Sequence, residues 1–222
     1  MNWKQLFTSS IGKKILMAFT GFFLITYLIV HAAINALIFL DDDGQTFNTV
    51  ASFMLHNWVV RILEVGLFLG FILHIVQGLM LWKQNKSARN INNYQHKYLP
   101  QIKWYSRYMG WLGTFVLLFL VMHLYHFWAS TKHELYFNGP QVNLYDEMRD
   151  VFTNPLWFTL YMVGLASLLF HLLHGFHSAF ETFGVNNKRW TPIIRGVGVF
   201  YSVAICLLFA SMPLAFMVGW LQ

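Results

Sequence analysis

Cysteine occurs once in the 222 residues, at Cys206. A lone thiol excludes an intramolecular disulfide, a zinc or iron–sulfur site built on paired cysteines, and the CxxCH attachment of c-type haem. Charge is equally scarce. Asp, Glu, Lys and Arg together make up 11% of the chain, against about 25% in soluble domains. So few charges cannot coat a globule of this size, which excludes a water-soluble enzyme and a disordered chain alike. Acids are outnumbered by bases, nine to fifteen, for a formal charge of +6. In so apolar a chain that excess points to membrane topology, and nucleic acid is not an expected partner. No repeat, low-complexity tract or linker interrupts the sequence, which reads as one domain over 1–222.

What is present is a set of long uncharged runs. Ile15–Leu40 spans 26 residues without a charge, and Val65–Trp82 spans 18, extending back to about Asn57 if Arg61 and Glu64 lie at an interface. Tyr108–Thr131, Leu156–Phe180 and Gly196–Gln222 give runs of 24, 25 and 27. Each approaches or exceeds the roughly 20 residues that a helix needs to cross a bilayer. None alternates apolar with polar residues over about 10 positions, as a membrane-spanning strand does. The expected fold is an all-α integral membrane protein with five transmembrane helices, at about 15–40, 57–82, 108–131, 156–183 and 196–221. The first is too long to be the core of a cleaved signal peptide and should remain as an anchor.

Orientation follows from Lys and Arg. Lys4, Lys13 and Lys14 precede the first span. Lys83, Lys86, Arg89, Lys97, Lys103 and Arg107 lie between spans two and three, and Lys188, Arg189 and Arg195 between four and five. Twelve of the fifteen cations therefore fall on one side. The other side has Arg61, Lys132 and Arg149 among seven of the nine acids. The positive-inside rule places the amino terminus in the cytoplasm and the carboxyl terminus outside, in a bacterial inner membrane. In the outer loop, Leu144, Met148, Val151 and Phe152 recur at helical spacing, predicting a short surface helix within Asn143–Asn154. The Asp41-Asp42-Asp43-Gly44 run lacks the later ligands of a calcium loop and reads as a solvated turn.

The informative residue is histidine. Seven of ten lie within the spans: His31, His74, His123, His126, His171, His174 and His177. An ionisable side chain in hydrocarbon is usually kept for ligation, proton transfer or a paired contact. Packing across helices is the simpler account of any one of them, but histidine recurs on four successive spans. Counting at 1.5 Å per residue, His31 and His123 lie about 14 and 12 Å inward from the outer ends of their spans. His74 and His174 lie about 12 and 9 Å from the inner ends. Two layers result, and a four-helix bundle with facing histidines at each level is suited to two haem irons, each held from both faces. Depth alone admits His171 in place of His174, and His126 in place of His123. Zinc fits less well, because it gathers three or four ligands at one point.

Four segments carry a family resemblance: Thr20-Gly21 followed by His31; His74 with Gly78; Val121-Met122-His123-Leu124-Tyr125; and Leu173-His174-Gly175. In helix number, order and loop length, nearly the whole chain resembles the five-helix, two-haem cytochrome b anchor of succinate:quinone oxidoreductases, the succinate dehydrogenases and fumarate reductases. The resemblance implies that His31 and His123 hold the outer haem b, and that His74 and His174 hold the inner one. His126, His171 and His177 then pack or act around the ligands, with His126 and His177 near enough to an interface to meet a propionate or a quinone. Dicarboxylate chemistry would lie on a flavoprotein subunit, wired to the membrane by an iron–sulfur subunit that docks on the cytoplasmic loop Lys83–Arg107, with Trp104 and Tyr105. Lys83, Arg107, Lys188 and Arg189 are placed to pair with inner haem propionates.

The resemblance further implies menaquinone as the reactant near the outer haem. His56, Asn57, Arg61 and Glu64 are the candidates there, because quinone chemistry moves protons with electrons and needs a titratable group in reach. For Glu64 the simpler account is an ion pair with Arg61, one helical turn before it. Some relatives carry an acid two positions before the fourth-span haem histidine, where this chain has Leu172, so no proton path through that acid is expected. Two other readings fit the histidines: a cytochrome b subunit of a hydrogenase or formate dehydrogenase, and a haem-free histidine-relay transporter. The transporter reading lacks support from repeat symmetry or paired broken helices, since Pro213 is expected to break only the fifth span.

Overall fold

A computed structural model describes residues 9–91, 104–137, 139 and 142–221, with the backbone alone for 88–91. Lys4, Lys97 and Lys103 lie outside the described residues, as do the side chain of Arg89 and the centre of the Lys83–Arg107 loop. Helix α1 (Ser10–Asn35) continues as a 3-10 turn (Ala36–Phe39). It is followed by α2 (Gln45–His56), α3 (Trp58–Ile91), α4 (Trp104–Arg107), α5 (Met109–Phe137), α6 (Leu144–Phe152), α7 (Pro155–Thr182) and α8 (Trp190–Met217). Five of these are long and apolar enough to cross a membrane. Among the described residues no strand occurs, and the fold is the all-α membrane architecture read from the uncharged runs.

Asparagine and serine caps set the helix starts by giving free backbone N–H groups an acceptor. The Ser9 hydroxyl accepts from the Gly12 N–H at 3.0 Å. Asn57 ends α2 and opens α3, accepting from Val59 at 2.9 Å. Asn154 precedes Pro155 at the first position of α7, where the missing N–H has no partner to lose. Asn143 opens α6, the expected surface helix, which buries Tyr145, Met148 and Phe152 against Phe216 and its neighbours. The acidic run is a turn, as expected. Asp42 Oδ2 caps Thr46 at 2.9 Å, and Gly44 stands at φ 75° with the Tyr145 ring against it, a conformation and a contact that any Cβ would spoil.

The structure departs from expectation in several places: α3 runs on to Ile91, past the expected end at 82, and α8 begins at Trp190, ahead of the expected 196. α2 is an additional outer helix, anchored by buried Phe47 and Ala51. α5 runs on to Phe137 through a π-helical turn at Leu124–Ala129. Pro213 does not break α8, which continues to Met217 with the proline fully buried.

α7 is central. It packs on α8, α5 and α1, while α1 packs on α3. One apolar cluster, including Ile25, Leu165, Leu172 and Cys206, fills the middle, so Leu172 faces core. A second, including Ile38, Phe47, Phe152 and Phe216, closes the outer end. Apolar side chains in mid-span point outward: Leu118 is 61% exposed and Leu207 64%. Outward apolar faces on every long helix suit lipid and not water. Trp58 and Trp220 at the outer ends, and Trp104 and Trp190 at the inner ends, are likewise exposed, as aromatic belts are.

Candidate functional site

Helices α1, α3, α5 and α7 bring the intramembrane histidines together in two pairs. In the outer half, the His31 and His123 rings are 5.7 Å apart between centroids, at 89°. In the inner half, the His74 and His171 rings are 6.2 Å apart, at 64°. Thr20, level with the inner pair, precedes His31 on α1 by 11 residues, so the two pairs are separated by about 16 Å along the bundle. The sequence expectation of two layers with His31 opposite His123 agrees with this arrangement. For the inner layer, the ring facing His74 is that of His171. His174 lies one turn further along α7, at the end of the bundle where α4 packs, and its Nδ1 is 2.8 Å from the Ser106 hydroxyl of α4.

Glycines let the inner rings lie against neighbouring backbones. A Cβ on Gly21 would stand 3.4 Å from His74 Cε1, and one on Gly113 would stand 3.6 Å from His171 Cε1. The Nδ1 atoms of His123 and His171 are buried with no hydrogen-bond partner among the described residues. Two imidazoles bound at about 2 Å to one metal have ring centres roughly 6 Å apart. Both pairs have that spacing and that donor set, so they fit a metal held between two histidines. Among the described residues no group of three or more His, Cys, Asp or Glu side chains is placed to hold a metal ion, which is the arrangement zinc would need.

The remaining histidines have other partners. His126 is buried in the π-helical turn, its Nδ1 3.2 Å from the Tyr161 hydroxyl and its ring edge-on to Trp157 at 4.5 Å. His177 accepts from Arg195 Nε at 3.1 Å and has Glu181 3.5 Å from its other nitrogen. Lys83, Arg107, Lys188 and Arg189 are exposed at the inner end.

At the outer interface Glu64 is a hub. Arg61 Nη1 donates to it at 3.1 Å, Trp128 Nε1 at 2.5 Å, and Lys132 Nζ reaches both oxygens at 3.1 and 3.2 Å. The expected Arg61 pair is present, and α5 supplies two donors that the sequence reading missed. Trp128 and Lys132 are four residues apart, the spacing of one helix face, and the π-helical turn before Lys132 turns that face by roughly 100° relative to His123. These residues line a cavity of about 530 Å³ together with Val65, Phe68, Leu69 and Tyr136. It is apolar, with a few convergent polar groups, as ligand sites generally are. His56 stays outside it, bonded to the Ser52 carbonyl of its own helix at 2.8 Å. A second outer cavity, of about 450 Å³, runs between α5 and α6, with Glu134, Asp146, Glu147 and Asp150 on its walls and His126 at its edge.

The chain is 28% identical over 166 residues to the succinate dehydrogenase cytochrome b558 subunit of Bacillus subtilis (strain 168), a match covering 74% of this chain and 73% of that protein. No family model matches the sequence. No solved structure matches it. The five helices long and apolar enough to cross a membrane fit a membrane subunit.

Proposed function

We propose that this chain is the membrane-anchor cytochrome b subunit of a succinate dehydrogenase or fumarate reductase complex, passing electrons between an iron–sulfur partner subunit and menaquinone through two haems b. The observation that carries this reading is the facing of two imidazole pairs at two levels of one bundle, supported by the name of the homologue. Haem iron between two imidazoles supplies reversible one-electron transfer. His31 and His123 ligate the outer haem. His74 ligates the inner one with a histidine of α7. The ring juxtaposition favours His171, whereas the resemblance favours His174, and one pair of substitutions separates them.

The Glu64 cavity is the quinone site in this reading. Reducing a quinone takes two electrons and two protons. Arg61 and Lys132 supply cationic N–H donors to a quinone oxygen, and Glu64 is the carboxylate within the cavity that can pass a proton. His56 has no part in it. The flavoprotein and iron–sulfur subunits would sit on the cytoplasmic face, reached through the basic loop between α3 and α5, with the amino terminus on that side and the carboxyl terminus outside.

The test is a dithionite-reduced minus oxidised spectrum of the purified complex, with haem quantified per chain. Two b haems per chain are expected, with one lost in His171→Ala and both kept in His174→Ala. The reverse pattern assigns His174, and a colourless wild-type complex overturns the reading.

A further inference from the structure

The Thr20 hydroxyl of α1 lies between its own helix backbone and the ring of His74. It is held within hydrogen-bond distance of two carbonyls, Leu16 at 2.9 Å and Met17 at 3.1 Å. A hydroxyl has a single hydrogen, and carbonyl oxygens only accept, so that hydrogen is committed to the backbone. What Thr20 Oγ1 presents to His74 Nδ1, 3.2 Å away, is therefore a lone pair. The complementary role for the His74 nitrogen facing it is that of donor, with the proton on Nδ1. In a neutral imidazole with Nδ1 protonated, Nε2 has the free lone pair, the form a metal requires.

From this we propose that Thr20 is a positioning residue for the inner haem: by accepting from His74 Nδ1–H it fixes the ring's tautomer and orientation and raises the basicity of Nε2 toward iron. The proposal rests on the haem reading above. The site is closed around this contact. Thr20 is buried, Gly21 beside it leaves room for the ring edge, and Met17, one turn below, has its methyl against Gly78 of α3. Across the pair, His171 Nδ1 has no hydrogen-bond partner among the described residues. The inner layer thus has an anchored ring facing one with no such anchor, and Thr20 supplies the acceptor. Hydrogen-bond partners of this kind orient the metal-binding ring, and their loss typically lowers metal affinity about 10- to 100-fold.

The experiment compares Thr20→Val, which keeps the shape and removes the acceptor, with Thr20→Ser, which keeps the acceptor. Each is purified as the whole complex, assayed for haem per chain, and titrated potentiometrically on the visible bands. In Thr20→Val one of two haems is expected to shift to a higher midpoint potential, because a less basic ligand stabilises ferric iron less, or to be bound about 10- to 100-fold more weakly. The other haem keeps its potential, and Thr20→Ser restores both. Thr20→Ala gives the same comparison if the valine variant does not assemble. Unchanged potentials and full haem content on removal of the acceptor overturn the proposal. So does a serine variant as altered as the valine one, since packing would then be at work. A wild-type complex without haem instead overturns the haem reading itself, and is distinguished by needing no variant.

Discussion

Glu64 and Lys132 lie 68 residues apart in the chain and 3.1 Å apart in the fold, joining the outer end of α3 to that of α5. Trp128 donates to the same carboxylate, and Arg61 binds it from within α3. Three donors on one carboxylate, at the mouth of an apolar cavity, hold it in a single place. Ion pairs at exposed sites contribute little to stability, typically 0–1 kcal/mol as a rough range. The arrangement is better suited to holding a reactive group in position than to holding two helices together.

Glu64→Gln keeps the size of the side chain and removes its charge and its proton. Turnover with a quinone acceptor is expected to fall about 100-fold, the lower end of what a positioned acid or base contributes. In the reading proposed above, reduction of the haems by succinate in the same complex should be unaffected. Stopped-flow spectra of haem reduction, set beside a steady-state quinone assay, separate the two rates. An equal loss in both would place Glu64 in the structure of the subunit and not in its quinone chemistry.

Gly164 on α7 lets the Phe119 ring of α5 reach the helix backbone, and a Cβ there would overlap Phe119 Cδ2. Gly164→Ala is expected to destabilise the subunit by about 1–3 kcal/mol, the usual effect of overpacking. Because Phe119 also stacks on His123 at 6.0 Å, the displaced ring should disturb the outer pair before the inner one. Gly196, with nothing within 4 Å of its Cβ position, is the control, and Gly196→Ala should leave the melting temperature unchanged or slightly raised. Thermal unfolding in detergent, followed by circular dichroism, reads both effects. Equal melting temperatures for the two variants would contradict the tight α5–α7 contact.

The five spans were legible because hydrocarbon excludes charge, so the uncharged runs are the spans themselves. The outer pair was legible only in part: depth counted along two helices put His31 level with His123 or His126, and the resemblance around His123-Leu124-Tyr125 chose between them. Depth could not choose between His171 and His174. They differ by three residues, about 4.5 Å, and the distinction lies in which neighbour each meets, Gly113 or Ser106. α2 was illegible because Gln45–His56 mixes Asn, Thr and Ser with apolar residues, and it is held as a helix through tertiary contacts of Phe47 and Ala51. Glu64 stood out as a carboxylate near a span. Its partners Trp128 and Lys132 did not, because a π-helical turn resets the helix phase ahead of Lys132, and a regular 3.6-residue period does not foresee that.

Glu147 sits between α5 and α6, where burial, with Glu134 and Asp150 nearby, raises its carboxyl above the ordinary value of 4.5, partly opposed by a hydrogen bond with Ser130. A carboxyl raised in the folded state is bound more tightly to its proton when folded. Its contribution to stability is therefore fully present below the ordinary carboxyl range, and is lost as pH rises through the raised value. The outer segment should become less stable on going from acid toward neutral pH. Glu147→Gln, which cannot ionise, should keep its stability over that interval and be the more stable protein at neutral pH. Melting curves of both proteins across the interval check the sign, and parallel curves would remove Glu147 as the cause.

The single cysteine makes the topology testable. Cys206 is buried in the middle cluster with Leu165 and Leu172, and Cys206→Ala leaves a chain with no thiol at all. Into that background Lys86→Cys places a thiol on the exposed inner end of α3, and Asp150→Cys places one on exposed α6. The excess of Lys and Arg beside Lys86 predicts that its end faces the cytoplasm, because translocating cations is unfavourable. A membrane-impermeant maleimide should then label the position-150 thiol in right-side-out vesicles and the position-86 thiol only in inverted ones. The opposite pattern would invert the whole subunit. The Glu64 cavity would then face the cytoplasm, together with the acidic cavity under α6, and the partner subunits would have to dock on the outer, acid-rich loops instead of the basic ones.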